Sequence, residues 1–359
     1  WIRENADACR QALASKNSKV DLDVLLKLDT ERREYIQEVE ELKARRNAAN
    51  DNVTRFKKEG KTQESNDLIA SMKSISQKVN EIDDKVGEIN KNIQDILYII
   101  PNIPDSSVPV AKGTDGNKTI RTWGEPKKFA SKPKDHLELT SELKWLNMGW
   151  GSKITGTAFP VYTYFGARLE RALINFMLDF HTSKHGYAEM WPPALVNRAS
   201  MTGTGQLPKF EEDMYRLKDD DYFLIPTAEV PITNLLRDEI LEEKNLPVKF
   251  TAYSPCFRRE AGSYGKDTKG LSRVHQFDKI EMVKFVRPED SLTELESLVQ
   301  NAEAILQALE IHYRVVLLGT GDMSFSAAKC YDLEAWAPGT EKWFEVSSCS
   351  LFGDFQARR

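Results

Sequence analysis

The sequence predicts an α+β protein in which an N-terminal antiparallel coiled-coil hairpin is followed by an antiparallel β-sheet core flanked by helices. Three observations support this prediction. The first hundred residues contain no proline and only two glycines, prolines follow directly after Ile100, and beyond residue 134 helical stretches alternate with short β-rich runs. Because these helices and strands do not follow a strict β-α-β order, an antiparallel sheet is favoured over a parallel one.

The composition excludes several classes of protein. The 359 residues suffice for two or three domains, and 50 basic against 55 acidic residues exclude a uniformly basic nucleic-acid-binding surface. No apolar run approaches the roughly 20 residues that are needed to cross a bilayer. The four cysteines are scattered without paired spacing, which favours reduced thiols over disulfides or zinc ligands. We therefore expect a cytoplasmic protein with no membrane partner.

The N-terminal arm, residues 1–100, is predicted from two apolar seams. The second seam alternates steps of four and three residues, as at the a and d positions of a coiled coil; it comprises Leu68, Met72, Ile75, Val79, Ile82, Val86, Ile89, Ile93, Ile96 and Ile100. A weaker seam runs from Leu28 to Phe56, and a polar turn near Gly60 separates the two. We predict a hairpin over residues 28–100, with each helix of about 30 residues extending roughly 45 Å.

Basic residues concentrate near the predicted tip of this hairpin. They are Lys43, Arg45, Arg46, Arg55, Lys57, Lys58 and Lys61, accompanied by only two acidic residues. Such a run is often a solvated helix face. Its location at the distal end instead favours contact with a polyanion, so we predict that these seven residues bind nucleic acid.

Residues 101–134 are predicted to be a linker, because Pro101, Pro104 and Pro109 end the helix. The core, residues 135–359, has predicted helices at Phe165–Lys184 and Asp290–Leu309. Its predicted strands are Tyr187–Trp191, Tyr222–Ile225, Val248–Tyr253, Ile280–Val286, Tyr313–Leu318, Cys330–Trp336 and Trp343–Ser347. Neither GxGxxG nor GxxxxGK[ST] is present, so no Rossmann or P-loop nucleotide site is supported.

The strongest chemical signal is Phe-Arg-Arg-Glu at residues 257–260, followed by Arg273, Phe277 and Glu281 at steps of four. On a strand this spacing places all three side chains on one face, because side chains alternate with period two. Guanidinium groups suit phosphate oxygens, an aromatic ring can stack on a base, and a carboxylate can accept an ammonium group. The alternative is an ordinary exposed sheet face with cross-strand salt bridges.

This segment resembles motif 2 of the class II aminoacyl-tRNA synthetases, and residues 186–195 resemble motif 1. Within that class the chain is similar to the seryl-tRNA synthetases. The similar segments are Thr-Gly-Thr-Gly-Gln-Leu-Pro at 202–208, Pro-Thr-Ala-Glu-Val at 226–230, His-Gln-Phe-Asp-Lys at 275–279, Glu-Val-Ser-Ser-Cys-Ser at 345–350 and Asp-Phe-Gln-Ala-Arg-Arg at 354–359. The hairpin is likewise similar to that family's tRNA-binding arm, so the resemblance extends over essentially the whole chain.

The resemblance implies three sets of site residues. The ATP-binding set is Arg258, Arg259, Glu260, Arg273, Val274, Phe277, Glu345, Val346, Ser347 and Ser348, of which Arg258, Glu260 and Arg273 are implied to be catalytic. The serine-binding set is Thr227, Ala228, Glu229, Arg258 and Glu281. The Mg²⁺ ligands are Glu345 and Ser348, whose hard oxygen donors suit that ion. Thr227 and Ser347 could instead be structural residues of a strand or turn. Glu229 could instead be a carboxylate that stabilises the start of a helix.

The implied function is ATP-dependent attachment of L-serine to tRNA(Ser) through seryl-adenylate, by a homodimer that uses Mg²⁺. Charging of tRNA(Sec) is left open. Two alternatives remain: a paralogue that loads a carrier protein, and a non-catalytic tRNA-binding or regulatory protein. The chain starts at Trp1 without an initiator Met and ends where motif 3 should follow, so we expect a fragment. Leu351 stands where the family usually has Asn.

Overall fold

The computed structural model describes residues 1–260 and 270–359. The chain divides into two compact units, one formed by Trp1–Ala14 with Ser18–Ile100, and the other by Ser15–Asn17 with Pro101–Arg359. Over the described residues, none of the helices combines the length and the apolar character needed to cross a membrane.

The helices and strands are numbered along the chain. The α-helices are α1 (Ala6–Ser15), α2 (Leu22–Lys58), α3 (Thr62–Ile99), α4 (His136–Leu143), α5 (Met148–Ile154), α6 (Phe165–His185), α7 (Arg198–Gly203), α8 (Glu229–Asn234) and α9 (Ser291–Ala308). The β-strands are β1 (Lys118–Trp123), β2 (Ala188–Met190), β3 (Leu195–Asn197), β4 (Tyr222–Leu224), β5 (Val248–Phe257), β6 (Gln276–Phe285), β7 (Tyr313–Leu317), β8 (Lys329–Ala337) and β9 (Lys342–Leu351).

In the first unit, α2 and α3 form the predicted long helical hairpin. Its seam residues are buried or half-buried, and Val39 of α2 packs against Val79 and Ile82 of α3. Ion pairs such as Lys78–Glu38, at 2.7 Å, connect the two helices outside the seam. Gly60 ends α2 with a φ of +76°, a conformation that costs little in glycine because it has no Cβ. The predicted hairpin and its turn are therefore confirmed.

In the second unit, the largest sheet has the strand order β1-β7-β8-β9 and is antiparallel throughout. Helix α9 covers it, and Leu295 and Val299 of the helix pack with Tyr313, Val315 and Leu333 of the sheet. Leu351, at the end of β9, packs against the same cluster, which gives this apolar side chain a structural role. The predicted α+β class is confirmed.

A second sheet has the order β2-β5-β6. Strands β5 and β6 are antiparallel over ten residue pairs, from Val248↔Phe285 to Phe257↔Gln276. β2, in contrast, runs parallel to β5, so the expectation of a purely antiparallel core is wrong for this strand. β3 and β4 form a separate antiparallel pair.

The prediction of a linker over residues 101–134 is wrong in part, because β1 lies within it. This edge strand pairs with β7, and Trp123 stacks on Tyr313 with ring centroids 5.8 Å apart. The Arg121 guanidinium donates two hydrogen bonds to Glu303 of α9, from Nε at 3.0 Å and from Nη2 at 2.6 Å. All but one of the β1 residues are exposed, so the strand carries no hydrophobic alternation in sequence.

Candidate active site

The β5–β6 pair positions the predicted motif. Phe277 lies opposite Cys256 and Glu281 lies opposite Ala252, so the aromatic ring and the carboxylate share one face of β6. Arg258 follows the end of β5, and its guanidinium lies over the Phe277 ring, 5.1 Å from the centroid. This is a cation–π geometry, which fixes the ring and the guanidinium beside one another.

Arg273 does not share that face. β6 begins at Gln276, so the prediction that Arg273 lies on the strand is wrong. Instead Arg273 pairs with the Glu260 carboxylate, and Glu260 itself has a φ of +50°. The intervening loop, residues 261–269, lies outside the described residues. The Arg273–Glu260 pair joins the two segments that flank this loop.

A compact polar cluster lies on the same face of β6. The Thr227 hydroxyl donates to Glu281 Oε2 at 2.6 Å and accepts from the Lys279 ammonium at 2.8 Å. Lys279 Nζ is also 2.6 Å from Glu281 Oε2. The Glu229 backbone N–H donates to Thr227 Oγ1 at 3.1 Å, which occupies the second lone pair of that hydroxyl. Thr227 is therefore fully hydrogen-bonded.

Lys279 was not among the predicted site residues. It lies two residues from both Phe277 and Glu281 on one strand, so the period of two was the available signal. Burial lowers the pKa of Lys279, but the charge of Glu281 and its hydrogen bond to the ammonium group favour the protonated form. The net effect is that the pKa of Lys279 is raised.

Glu229, at the start of α8, is the second carboxylate of this region. Burial, together with the charge of Glu281, raises the pKa of Glu229 to about 7, while Lys279 and Arg258 act in the opposite direction. Gln356, from the segment after β9, donates from Nε2 to Glu229 Oε1 at 2.6 Å. Gln356 was not among the predicted site residues.

β9 carries Glu345 and Ser348, three residues apart, which a regular strand would place on opposite faces. Its pairing with β8 shifts register between residues 333 and 334, where β9 has one extra residue, Val346. A β-bulge of this kind returns Glu345 and Ser348 to one face. Ser347 lies opposite Leu333 on the other face.

The surroundings of Glu345 and Ser348 suit a hard cation. Desolvation raises the pKa of Glu345, and Arg258 lowers it; Asp332, opposite Ser348, has a pKa raised to about 7 by burial and by the charge of Glu345. Within residues 1–260 and 270–359, no group of three or more His, Cys, Asp or Glu side chains is arranged to hold a metal. Glu345 and Ser348 offer two oxygen donors, the ligand type that Mg²⁺ prefers.

For the remaining predicted residues, the structure shows no side-chain contact with the polar cluster among the described residues. Ala228 is fully buried, and Val274 is nearly so. Val346 is 51% exposed at the bulge. The Arg259 backbone N–H donates to the Asp213 carbonyl at 3.0 Å, and its side chain is exposed.

The predicted basic residues of the hairpin lie on α2 and in its turn. Exposed members are Arg45, Arg55, Lys57, Lys58 and Lys61, while Lys43 and Arg46 are partly buried. Lys43 pairs with Asp83 of α3 at 3.3 Å. The charges of Arg55 and Lys61 lie within 5.5 Å of the Phe56 ring centroid, so the turn presents an aromatic ring between two cations.

Comparison with known proteins decides the family. A model of the seryl-tRNA synthetase N-terminal domain matches residues 1–104, and a model of the tRNA synthetase class II core domain (G, H, P, S and T) matches residues 209–359. The serine–tRNA ligase of Carboxydothermus hydrogenoformans is 51% identical over 100% of this chain and 84% of its own length. That of Desulfitobacterium hafniense (strain Y51) is 52% identical, over 100% and 85%. The chain belongs to the seryl-tRNA synthetase family.

Solved structures of seryl-tRNA synthetases have the same fold. The enzyme of Pyrococcus horikoshii complexed with ATP superimposes with a TM-score of 0.93 at 37% identity, over 99% of this chain and 84% of that one. The cytoplasmic serine–tRNA ligase of Naegleria fowleri in complex with AMP gives a TM-score of 0.88 at 28% identity, over the same shares. The predicted class II synthetase fold and the predicted family are confirmed.

Proposed function

We propose that this seryl-tRNA synthetase chain activates L-serine with ATP and transfers the seryl group to tRNA(Ser). One observation carries the proposal: Thr227, Lys279 and Glu281 form a hydrogen-bonded polar cluster on the same face of β6 that presents Phe277 under the Arg258 guanidinium. A recognition site for a small zwitterion thus adjoins a site for an aromatic base and a phosphate.

In the first step the serine carboxylate attacks the α-phosphorus of ATP and pyrophosphate leaves. Such reactions depend on positioning and on charge neutralisation rather than on covalent work by the protein. Arg258 neutralises the α-phosphate and the incoming carboxylate, and Phe277 stacks on adenine. Glu260 and Arg273, held together, contact the nucleotide from the loop side.

Glu345 and Ser348 would hold Mg²⁺, which would supply positive charge to the phosphate oxygens of ATP. The Arg258 charge lowers the pKa of Glu345, so the guanidinium and this carboxylate act on the same region. Val346 is the extra residue of the bulge that aligns Glu345 with Ser348.

Serine recognition uses Thr227, Glu229 and Glu281, two carboxylates and a hydroxyl. Lys279 donates to Thr227 and pairs with Glu281, so Glu229 and Glu281 are the carboxylates that we expect to receive the serine ammonium and hydroxyl. The side-chain hydroxyl is recognised by hydrogen bonds that an analogue without it leaves unmade.

The hairpin binds tRNA through its basic turn, where exposed charges contact phosphates and Phe56 offers a stacking surface. The buried seam between α2 and α3 supports its assignment as a coiled coil. Whether tRNA(Sec) is also charged stays open. A carrier-protein-loading paralogue is disfavoured because the complete hairpin is retained.

The active form is a homodimer that uses the motif 1 region, residues 186–195. Trp191, directly after β2, is 77% exposed and contacts Tyr253 edge to face, 5.6 Å between centroids. Contact of such a large aromatic side chain with water is unfavourable. Its burial by a partner subunit would therefore favour the homodimer.

The proposal is tested by ATP–pyrophosphate exchange in the complete natural protein. Arg258→Ala should reduce serine-dependent exchange by about 10²–10³-fold or more, because charge stabilisation at the reacting phosphate is lost. Arg287→Ala is the matched control: this half-buried arginine pairs with Glu243, Glu289 and Asp290 and contacts none of the site residues among the described ones. Unchanged exchange in Arg258→Ala would contradict the role of Arg258 at the phosphate, and absence of serine-dependent exchange in the wild-type protein would favour the non-catalytic alternative.

A further inference from the structure

Gln356 connects the segment after β9 to the serine pocket. Its Nε2 donates to Glu229 Oε1 at 2.6 Å and to the Thr204 carbonyl at 3.3 Å. The neighbouring Phe355 is buried and packs edge to face on Phe325, with centroids 5.6 Å apart. The backbone that carries Gln356 is therefore anchored, and its amide reaches Glu229 from a fixed position.

The orientation of this amide follows from its partners. Glu229 Oε1 and the Thr204 carbonyl are both acceptors, so the NH₂ end of Gln356 must face them. Turning the amide to accept a proton from a neutral Glu229 would place its oxygen against the Thr204 carbonyl. Gln356 thus favours the ionised form of Glu229 over the protonated form.

The other surroundings of Glu229 act in both directions. Burial and the nearby Glu281 charge disfavour its carboxylate, while Lys279 and Arg258 favour it. Together with the hydrogen bond from Gln356, these opposing contributions hold its pKa at about 7. Loss of that hydrogen bond would raise the pKa of Glu229 further and lower the fraction that is ionised near neutral pH.

We propose that Gln356 is a positioning residue for serine recognition, which orients Glu229 and keeps it ionised beside Glu281. The inference rests on the proposed function, because it assumes that Glu229 accepts the serine ammonium. A neutral Glu229 offers one proton donor to that ammonium and so binds it poorly. Serine affinity should then depend on Gln356 most strongly near neutral pH.

The test measures KM and kcat for serine in ATP–pyrophosphate exchange, at pH 7 and pH 8.5, with the complete natural protein. Gln356→Met removes the donor at similar length and should raise KM for serine about tenfold at pH 7, with a smaller effect on kcat. Because loss of the donor raises the pKa of Glu229, the effect should shrink at pH 8.5, where the carboxylate ionises again. Gln356→Asn, whose amide is too short to reach, should behave similarly.

Gln77→Met is the matched control, since Gln77 also donates to a glutamate, Glu81, but on the exposed hairpin. In a Glu229→Gln background, Gln356→Met should produce no further pH-dependent change. Wild-type KM in Gln356→Met, or a rise equal at both pH values, would overturn the inference. Absence of serine-dependent exchange in the wild-type protein would instead contradict the proposed function, so the two failures are distinguishable.

Discussion

Replacing Lys279 by Met should destabilise the second unit. The substitution keeps most of the packing of the side chain but removes the ammonium that donates to Thr227 and Glu281. Removing one partner of a buried ion pair costs about 3–5 kcal/mol, because the other charge is left uncompensated. The side chains of Lys279 and Glu281 retain 32% and 18% exposure, so water screens part of this cost. We expect a loss of about 2–3 kcal/mol.

The assay is urea unfolding followed by tryptophan fluorescence, which reports on the second unit because six of the seven tryptophans lie there. Lys244→Met is the control: Lys244 also pairs with a glutamate, but the two side chains are 77% and 65% exposed. Such an exposed pair contributes about 0–1 kcal/mol. In a Glu281→Gln background the Lys279→Met cost should fall, as expected for coupled partners. Equal costs for Lys279→Met and Lys244→Met would refute the reasoning.

Two further predictions concern regions outside the pocket. Arg121→Met should destabilise the second unit by about 2–3 kcal/mol in the same urea assay, because Glu303, only 8% exposed, loses its bidentate partner; a loss below about 0.5 kcal/mol would contradict a stabilising role for this ion pair. Lys57→Glu with Lys58→Glu should weaken tRNA binding and flatten its salt dependence while serine-dependent exchange is unchanged. Lys91→Glu, also exposed and on α3, should leave tRNA binding close to wild type.

The parts of the molecule that follow from local periodicity could be predicted from the sequence. The a and d seam of α3 specifies a long helix, and Gly60 marks its turn. The two-residue period likewise predicts that Phe277 and Glu281 share a strand face, as they do. The placement of Arg273 on the strand was wrong, because β6 begins only where its pairing with β5 begins, at Gln276. Residue spacing alone gives no information about where that pairing starts.

Features that depend on distant contacts could not be predicted in this way. The bulge at Val346 aligns Glu345 with Ser348, yet it exists only in the register with β8. Gln356 meets Glu229 across 127 positions of the chain, and neither position has a local signal for the contact. β1 was missed because an exposed edge strand needs no apolar alternation when its stability comes from pairing and from the Arg121–Glu303 contact.

The central claim is that this site activates serine in preference to other small amino acids. Amino-acid-dependent ATP–pyrophosphate exchange by the complete natural protein, with serine and alanine compared at equal concentration, tests it most directly. We expect serine to support exchange on the order of 10²-fold or more better than alanine, because alanine leaves the hydroxyl-binding groups unpaired. Equal exchange with both amino acids, or none with either, would contradict the claim.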